Sequence, residues 1–160
     1  MRARSAVCFL ILSALWVGVR ADEASERAAY GRMKAERQLV YELFKRAHEE
    51  FGKRGRIWAV LSACGKSGIA DSINSNGDEK AKFLASELQT IKHGDDANAR
   101  FANSLSGDEV VDLLQRAVDQ TIMYDLGYME AVTTDTTVYP GLCDRAVESA
   151  DKIMQERAKK

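Results

Sequence analysis

Apolar residues recur at the spacing of an α-helix through most of this 160-residue chain, and its single proline is Pro140. Residues three and four positions apart lie on the same side of a helix, so this spacing predicts helices that each bury one face. The one cluster of β-branched residues, 133–138, is too polar and too isolated to predict a sheet. No stretch repeats at a period of roughly 20 to 50 residues, which argues against a solenoid. We therefore expect an all-α protein, a single bundle of about five helices.

The periodicity divides the chain into helices with defined ends. The expected helices cover about 24–53, 56–73, 79–93 and 106–132, followed by a last helix that begins near Pro140. Gly52 and Gly55 are expected to end the first helix, and Asp78 to cap the third. The fourth helix opens with the spacing of a capping box, in which Ser106 is followed by Glu109. Residues 133–137 are expected to form a loop.

The first 21 residues have the pattern of a secretory signal peptide. Arg2 and Arg4 precede an uncharged, mostly apolar run over 6–19, and Val19 and Ala21 are small residues at the positions that favour cleavage before Asp22. A membrane anchor is the alternative, but a helix that spans a membrane needs roughly 20 apolar residues. The sequence therefore predicts a leader, 1–21, and a single helical domain, 22–160. We expect this domain to be periplasmic or secreted, without integral membrane association.

The charge of the chain excludes one class of partner. Its formal net charge is -1, and the expected leader carries three arginines and no acidic residue, so the remaining chain has a net charge of -4. Nucleic-acid-binding proteins need a basic surface to attract phosphates. We therefore expect no nucleic-acid partner.

Two cysteines remain outside the expected leader, which contains Cys8. Cys64 follows the apolar residue Leu61 at helical spacing, and Cys143 precedes Ala146 and others on the apolar face of the last helix. Exported proteins meet oxidising conditions in which such pairs commonly form disulfides. The sequence therefore predicts a Cys64–Cys143 disulfide between the second and the last helix, with two separate buried thiols as the alternative.

Motifs for catalysis or for cofactor binding are not found in the sequence. The stretch 65–67 ends like a phosphate-binding loop, but Val60 stands where that loop needs glycine. The turn near Asn76 resembles a calcium loop, but Phe83 stands where the loop needs a bidentate acid. His48 and His93 lie 45 residues apart, outside any zinc or haem pattern. We therefore predict no catalytic residue, no metal ligand and no cofactor.

The acidic residues of the helices are expected to form a solvated surface, because they alternate with Lys and Arg. They are Glu42, Glu49, Glu50, Asp112, Asp119 and Asp125.

Large apolar side chains cluster near the end of the fourth helix and give the best candidate for a partner-binding surface. They are Tyr124, Tyr128 and Met129, with Tyr139 just before the last helix. Packing in the core is the alternative explanation for them. A second set, on a charged stretch of the first helix, consists of Tyr30, Met33 and Tyr41.

The end of the chain resembles a group of known exported proteins. The stretch 125–132, the loop after it and Cys143 in an amphipathic last helix are similar to small two-cysteine periplasmic helical proteins. Examples are acid chaperones of the HdeA type and immunity proteins of the Tai type. The resemblance implies a non-enzymatic protein that works by protein contact, in a chaperone-like or immunity-type role. A carrier of an apolar ligand in a helical cavity and a secreted hydrolase without a recognisable motif are the alternatives.

The leader gives a direct prediction. We expect the exported protein to begin at Asp22, because Val19 and Ala21 occupy the positions read by the processing enzyme. Intact-mass measurement of the exported protein checks this. A soluble exported product that still carries residues 1–21 would contradict it.

Overall fold

The computed structural model describes residues 4–138 and 141–159, with side chains over 23–133 and 141–159. Within these residues the chain is helical and contains no strand, so the expected all-α class is confirmed. The helices are α1 (Arg4–Ala63), α2 (Ser67–Ile73), α3 (Gly77–Lys92), α4 (Ala97–Ser104), α5 (Gly107–Val138) and α6 (Leu142–Arg157). The chain divides into one unit that ends at Arg37 and another that begins at Gln38. The side chains described before Arg37 include no buried one.

Helix α1 passes through both glycines that were expected to end it. Glycine inside a helix lowers stability by about 1 kcal/mol relative to alanine, but here each glycine leaves room for a neighbouring side chain. A Cβ atom at Gly52 would lie 2.8 Å from the ring of His48, and one at Gly55 would lie 2.7 Å from Cγ of Asp125. The prediction of two separate helices, 24–53 and 56–73, was therefore wrong.

The helix ends instead at Ala63, two residues before Gly65, whose φ of +68° lies in the left-handed region. The N–H of Lys66 donates to the carbonyl of Leu61 at 2.8 Å, which is the characteristic bond of a Schellman C-terminal motif. Residues 67–73 then form the separate short helix α2.

The N-terminal caps of the next helices are made by side chains. Asn76 caps α3 by accepting a hydrogen bond from the N–H of Glu79 at 2.8 Å, whereas Asp78, the expected cap, lies in the first turn. Helix α4, which the periodicity did not predict, is capped by Asp96. The capping box of α5 is confirmed: the N–H of Ser106 donates to Oε2 of Glu109 at 2.8 Å, and the N–H of Glu109 donates to Oγ of Ser106 at 3.4 Å.

Helix α5 continues to Val138, so the expected loop over 133–137 was wrong. The hydroxyl of Thr133 donates to the carbonyl of Met129 at 2.8 Å, which satisfies this polar side chain inside the helix. Helix α6 begins at Leu142, after Gly141 with a φ of +80°. Pro140 and Tyr139 lie outside the described residues.

The core of the second unit consists of two clusters, and α1 and α5 contribute to both. The first cluster contains Leu39, Leu43, Ala47, Phe51, Leu84, Leu88, Ile91, Ala102, Leu113, Ala117 and Val118. The second contains Val60, Leu61, Ala70, Ile73, Val132, Ala146, Ala150 and Ile153. These are mostly the residues of the apolar stripes in the sequence, but Ile122, which continues the stripe of α5, is exposed. No helix in the described part of the chain is long and apolar enough to cross a membrane.

The Cys64–Cys143 disulfide is present, as the sequence predicted. Its Cα atoms are 5.9 Å apart, within the range of roughly 4.4 to 6.8 Å that disulfides occupy. Cys64 lies just past the last residue of α1 rather than inside a second helix, and Cys143 lies in the first turn of α6. The bond closes a loop of 79 residues. It joins the C-terminal end of α1 to the N-terminal end of α6, beside the second core cluster.

We expect Cys64→Ser to lower the free energy of unfolding by roughly 2 to 5 kcal/mol, because the unfolded chain loses its covalent constraint. Urea denaturation without reductant measures the change. Cys143→Ser and the double variant should lose the same amount, since the two sulfur atoms stabilise only as a pair. Additive losses in the double variant would contradict this explanation.

Candidate functional site

The first candidate site is an aromatic cluster between α1 and α5. Tyr124 of α5 places its ring 4.6 Å from that of His48, edge-on, and 5.9 Å from that of Phe44. Phe44 also packs on His48 at 5.9 Å and on Tyr41 at 6.4 Å. We call these four residues, Tyr41, Phe44, His48 and Tyr124, the α1–α5 aromatic cluster. Its outer members are exposed, Tyr41 at 60% and Tyr124 at 41%.

Of the four predicted partner-binding residues, the structure describes three, and these differ in burial and direction. Tyr128 is half-buried against the second core cluster. Met129 is also half-buried, and five helical residues separate its direction from that of Tyr124 by about 140°. Tyr139 lies outside the described residues. Among the predicted residues that the structure describes, Tyr124 takes part in the α1–α5 aromatic cluster.

Sequence reasoning named Tyr41 of α1 but missed Phe44 and His48 as members of the cluster. His48, noted in the sequence only as lying outside any zinc or haem pattern, is half-buried against two aromatic rings. The available signal was the spacing of Tyr41, Phe44, His48 and Gly52, three or four residues apart, which places them on one side of a helix.

The second candidate site is a cleft of about 240 Å³ between α1, α3, α5 and the turn that joins α2 to α3. Its apolar side chains are Trp58, Ile122 and Leu126, and Ile122 and Leu126 are exposed at its rim. Its polar residues are Asn74, Ser75, Asn76, Lys80 and Asp125. We call it the Lys80 cleft.

A buried ion pair lies in the Lys80 cleft. Nζ of Lys80 is 2.9 Å from Oδ2 of Asp125, and the two side chains are only 4% and 8% exposed. The expectation that Asp125 belongs to a solvated surface was therefore wrong. The carboxylate fits because Gly55 has no side chain: a Cβ atom there would lie 2.7 Å from Cγ of Asp125. Two opposite charges so close together leave the cleft with little net charge.

Ser75 is the polar group of the cleft without an internal partner. Its side-chain oxygen is the one buried side-chain nitrogen or oxygen in the described residues that makes no hydrogen bond, and the residue is 5% exposed. An unsatisfied buried hydroxyl costs about 1 to 3 kcal/mol. The oxygen is enclosed by the protein, so it is not presented to the interior of the cleft.

A third concave region is a charged groove of about 450 Å³ beside α1 and α3. Arg46 lies in it and donates to Glu87 at 2.7 Å and to Glu42 at 3.2 Å. The hydrogen bond to Glu87 is the largest of the effects that raise the pKa of the Arg46 guanidinium, in opposition to desolvation. Because Arg46 is already paired with two carboxylates, the groove has the properties of a solvated surface network.

Comparisons with known proteins found no relative of this chain. No protein family, no curated protein and no solved structure matches the chain. The resemblance to two-cysteine periplasmic proteins therefore stays a prediction. Among the described residues, no group of three or more His, Cys, Asp or Glu side chains is arranged to hold a metal ion.

The geometry of the Lys80 cleft makes a prediction about Gly55. Gly55→Ala should lower the free energy of unfolding by about 1 to 3 kcal/mol, because the new Cβ would displace the carboxylate of Asp125 from its place beside Lys80. Gly127→Ala is the matched control, since Gly127 is also inside a helix but has open space around it. It should raise stability by about 0.5 to 1 kcal/mol. Equal stabilisation of both variants in urea denaturation would show that Gly55 is not needed for the ion pair.

Proposed function

We propose that the protein is exported and acts by contact with another protein, through the α1–α5 aromatic cluster. The observation that carries the proposal is the pair of exposed tyrosines on two different helices, Tyr41 and Tyr124, with Phe44 and His48 packed between them. Tyrosine is enriched at binding hot spots, because its ring buries a large area and loses little conformational freedom. Met123, 65% exposed on α5, adds apolar surface next to Tyr124.

Two features support the export part of the proposal. The sequence begins with two arginines and an apolar run of signal-peptide length. The Cys64–Cys143 disulfide is of the kind that persists in the periplasm or outside the cell, where thiols are oxidised.

The geometry gives less support to a hydrolase. A serine nucleophile needs a base within hydrogen-bond reach. The Ser75 hydroxyl has no hydrogen-bond partner within the described residues, and the ammonium group of Lys80 is bonded to Asp125.

A carrier of apolar ligands also receives less support. Ligand pockets usually measure roughly 300 to 1,000 Å³ and are mainly apolar. The Lys80 cleft is smaller, at about 240 Å³, and it contains an ion pair. The aromatic cluster, which is an exposed surface rather than a cavity, favours binding of a protein.

Site-specific photocrosslinking in the cells that produce the protein tests the proposal. Tyr41 and Tyr124 are replaced, one at a time, with p-benzoylphenylalanine. Val111 is the matched control position, because it is a 68% exposed apolar residue of α5 outside the cluster. We expect both cluster positions to give an adduct with the same protein and position 111 to give none. No adduct at the cluster, or the same adducts at all three positions, would contradict the proposal.

Alanine variants separate binding from stability. Tyr124→Ala should weaken the partner contact by more than about 1 kcal/mol and change the free energy of unfolding little, because its ring is partly in solvent. Tyr128→Ala should mainly lower the free energy of unfolding, since Tyr128 packs against the second core cluster. Titration with the crosslinked partner and urea denaturation measure the two effects. A severe loss of stability in Tyr124→Ala would assign this tyrosine to the core.

A further inference from the structure

We propose that two copies of the chain associate through residues 23–37 of α1, which pack against each other in antiparallel orientation. We call this stretch the α1 arm. It belongs to the unit that ends at Arg37 and shares no residue with the α1–α5 aromatic cluster, so the proposal does not rest on the proposed function.

The α1 arm is a stretch of helix without a buried face. Every side chain over 23–34 is exposed, and residues 35–37 include no buried one. Helices in proteins are stabilised mainly by packing of an apolar face. Tyr30 and Met33 are large apolar side chains, yet they are 65% and 41% exposed. The arm therefore presents apolar surface that the described part of the chain leaves largely uncovered.

Four residues of the arm form one line along the helix. They are spaced by four, three and four positions, so they lie within about 60° of one another around the helix axis. They are Glu26, Tyr30, Met33 and Arg37, and we call them the arm strip. The strip has its apolar residues at the centre and opposite charges at its two ends.

The charges at the ends of the arm strip have no partner within the described residues. Neither Glu26 nor Arg37 takes part in an ion pair or a side-chain hydrogen bond there. The sequence explains this, because no residue three or four positions from either of them carries the opposite charge. Arg27, beside the strip, is already paired with Glu23 at 3.6 Å.

The arm strip is complementary to itself in one orientation. When two strips lie antiparallel, Glu26 of each copy faces Arg37 of the other copy. At the centre, Tyr30 of each copy then faces Met33 of the other. A parallel arrangement would instead place like charges opposite each other at both ends. Charge complementarity therefore favours a second copy of this chain as the occupant, related to the first by a two-fold axis.

The contact is expected to be weak. The strip is about 17 Å long, and each copy contributes two large apolar side chains, which is less than a stable interface of roughly 1,200 to 2,000 Å² requires. Exposed ion pairs also weaken as salt is added. We therefore expect a dimer that dissociates on dilution and at high ionic strength.

Sedimentation velocity of the purified protein at several concentrations measures this association. Tyr30→Ala and Met33→Ala should each raise the dissociation constant at least about tenfold, because each removes an apolar side chain that occurs twice in the dimer. Alanine favours the helix, so both variants should keep the arm helical. Val111→Ala, at an exposed apolar residue of α5, is the matched control and should leave the dissociation constant unchanged.

Charge reversal tests the orientation of the two copies. Glu26→Arg gives the strip two basic ends, and Arg37→Glu gives it two acidic ends. Each variant alone should therefore raise the dissociation constant at least about tenfold. An equimolar mixture of the two variants should associate again, since every basic end can then face an acidic one. Glu148→Arg, at an exposed residue of α6, should dimerise like the unchanged protein.

The mixture separates this contact from association through any other surface, because only a contact between positions 26 and 37 of different copies predicts its recovery. A protein that stays monomeric at all concentrations would overturn the proposal. Unchanged dimerisation of either charge-reversal variant alone, or a mixture that fails to associate, would also overturn it.

Discussion

The buried ion pair between Lys80 and Asp125 is the interaction on which the arrangement of the helices depends most. It lies between the two core clusters: along α5, Asp125 comes after Val118 of the first cluster and before Val132 of the second. Along α1, Gly55 lies in the same way between Phe51 and Val60. Apolar contacts are non-directional and tolerate sliding of one helix past another. A buried charge pair does not, because a shift of one turn would leave each charge without its partner, at a cost of about 3 to 5 kcal/mol. We interpret the pair as the contact that sets the register of α1, α3 and α5.

The sequence was informative about helices and poor about where they end. Helical periodicity depends on which face is buried, and the stripes of Leu39 to Phe51 and of Leu84 to Ile91 are buried as expected. Gly52 and Gly55 were misread as helix ends because the reason for each glycine is a side chain that approaches it in the fold. Asp125, which approaches Gly55, is far along the chain. Residues 133–137 were misread because β-branched polar residues are poor helix formers, although the Thr133 hydroxyl is satisfied within its own helix.

The difference between local sequence signals and contacts between distant residues also explains which parts of the candidate sites could be predicted. The disulfide followed from two local facts, the apolar neighbours of Cys64 and of Cys143, and from the expected export. The Lys80 cleft was not found, because Lys and Asp are mostly exposed and a pair separated by 45 residues has no local signal. The sequence contained one signal for their burial: Lys80 and Asp125 each lie four residues from a buried residue of the same helix, Leu84 and Thr121 respectively. The sequence contained no such signal for Ser75, because its burial depends on the turn in which it lies.

The α5 side chains that belong to the two candidate sites point in different directions from the helix. Tyr124 turns toward Phe44 and His48 of α1, while Ile122 and Leu126 line the Lys80 cleft with Trp58. Two residues along a helix correspond to a rotation of about 200°, so Tyr124 points away from both of these neighbours. A side chain removed from one site therefore leaves the walls of the other in place. Because Gly55 and Asp125 occupy the interior of the bundle between the two directions, a variant that disturbs the ion pair would alter both sites together. A variant that loses one binding activity and keeps the other has therefore changed the surface of that site and not the shared interior.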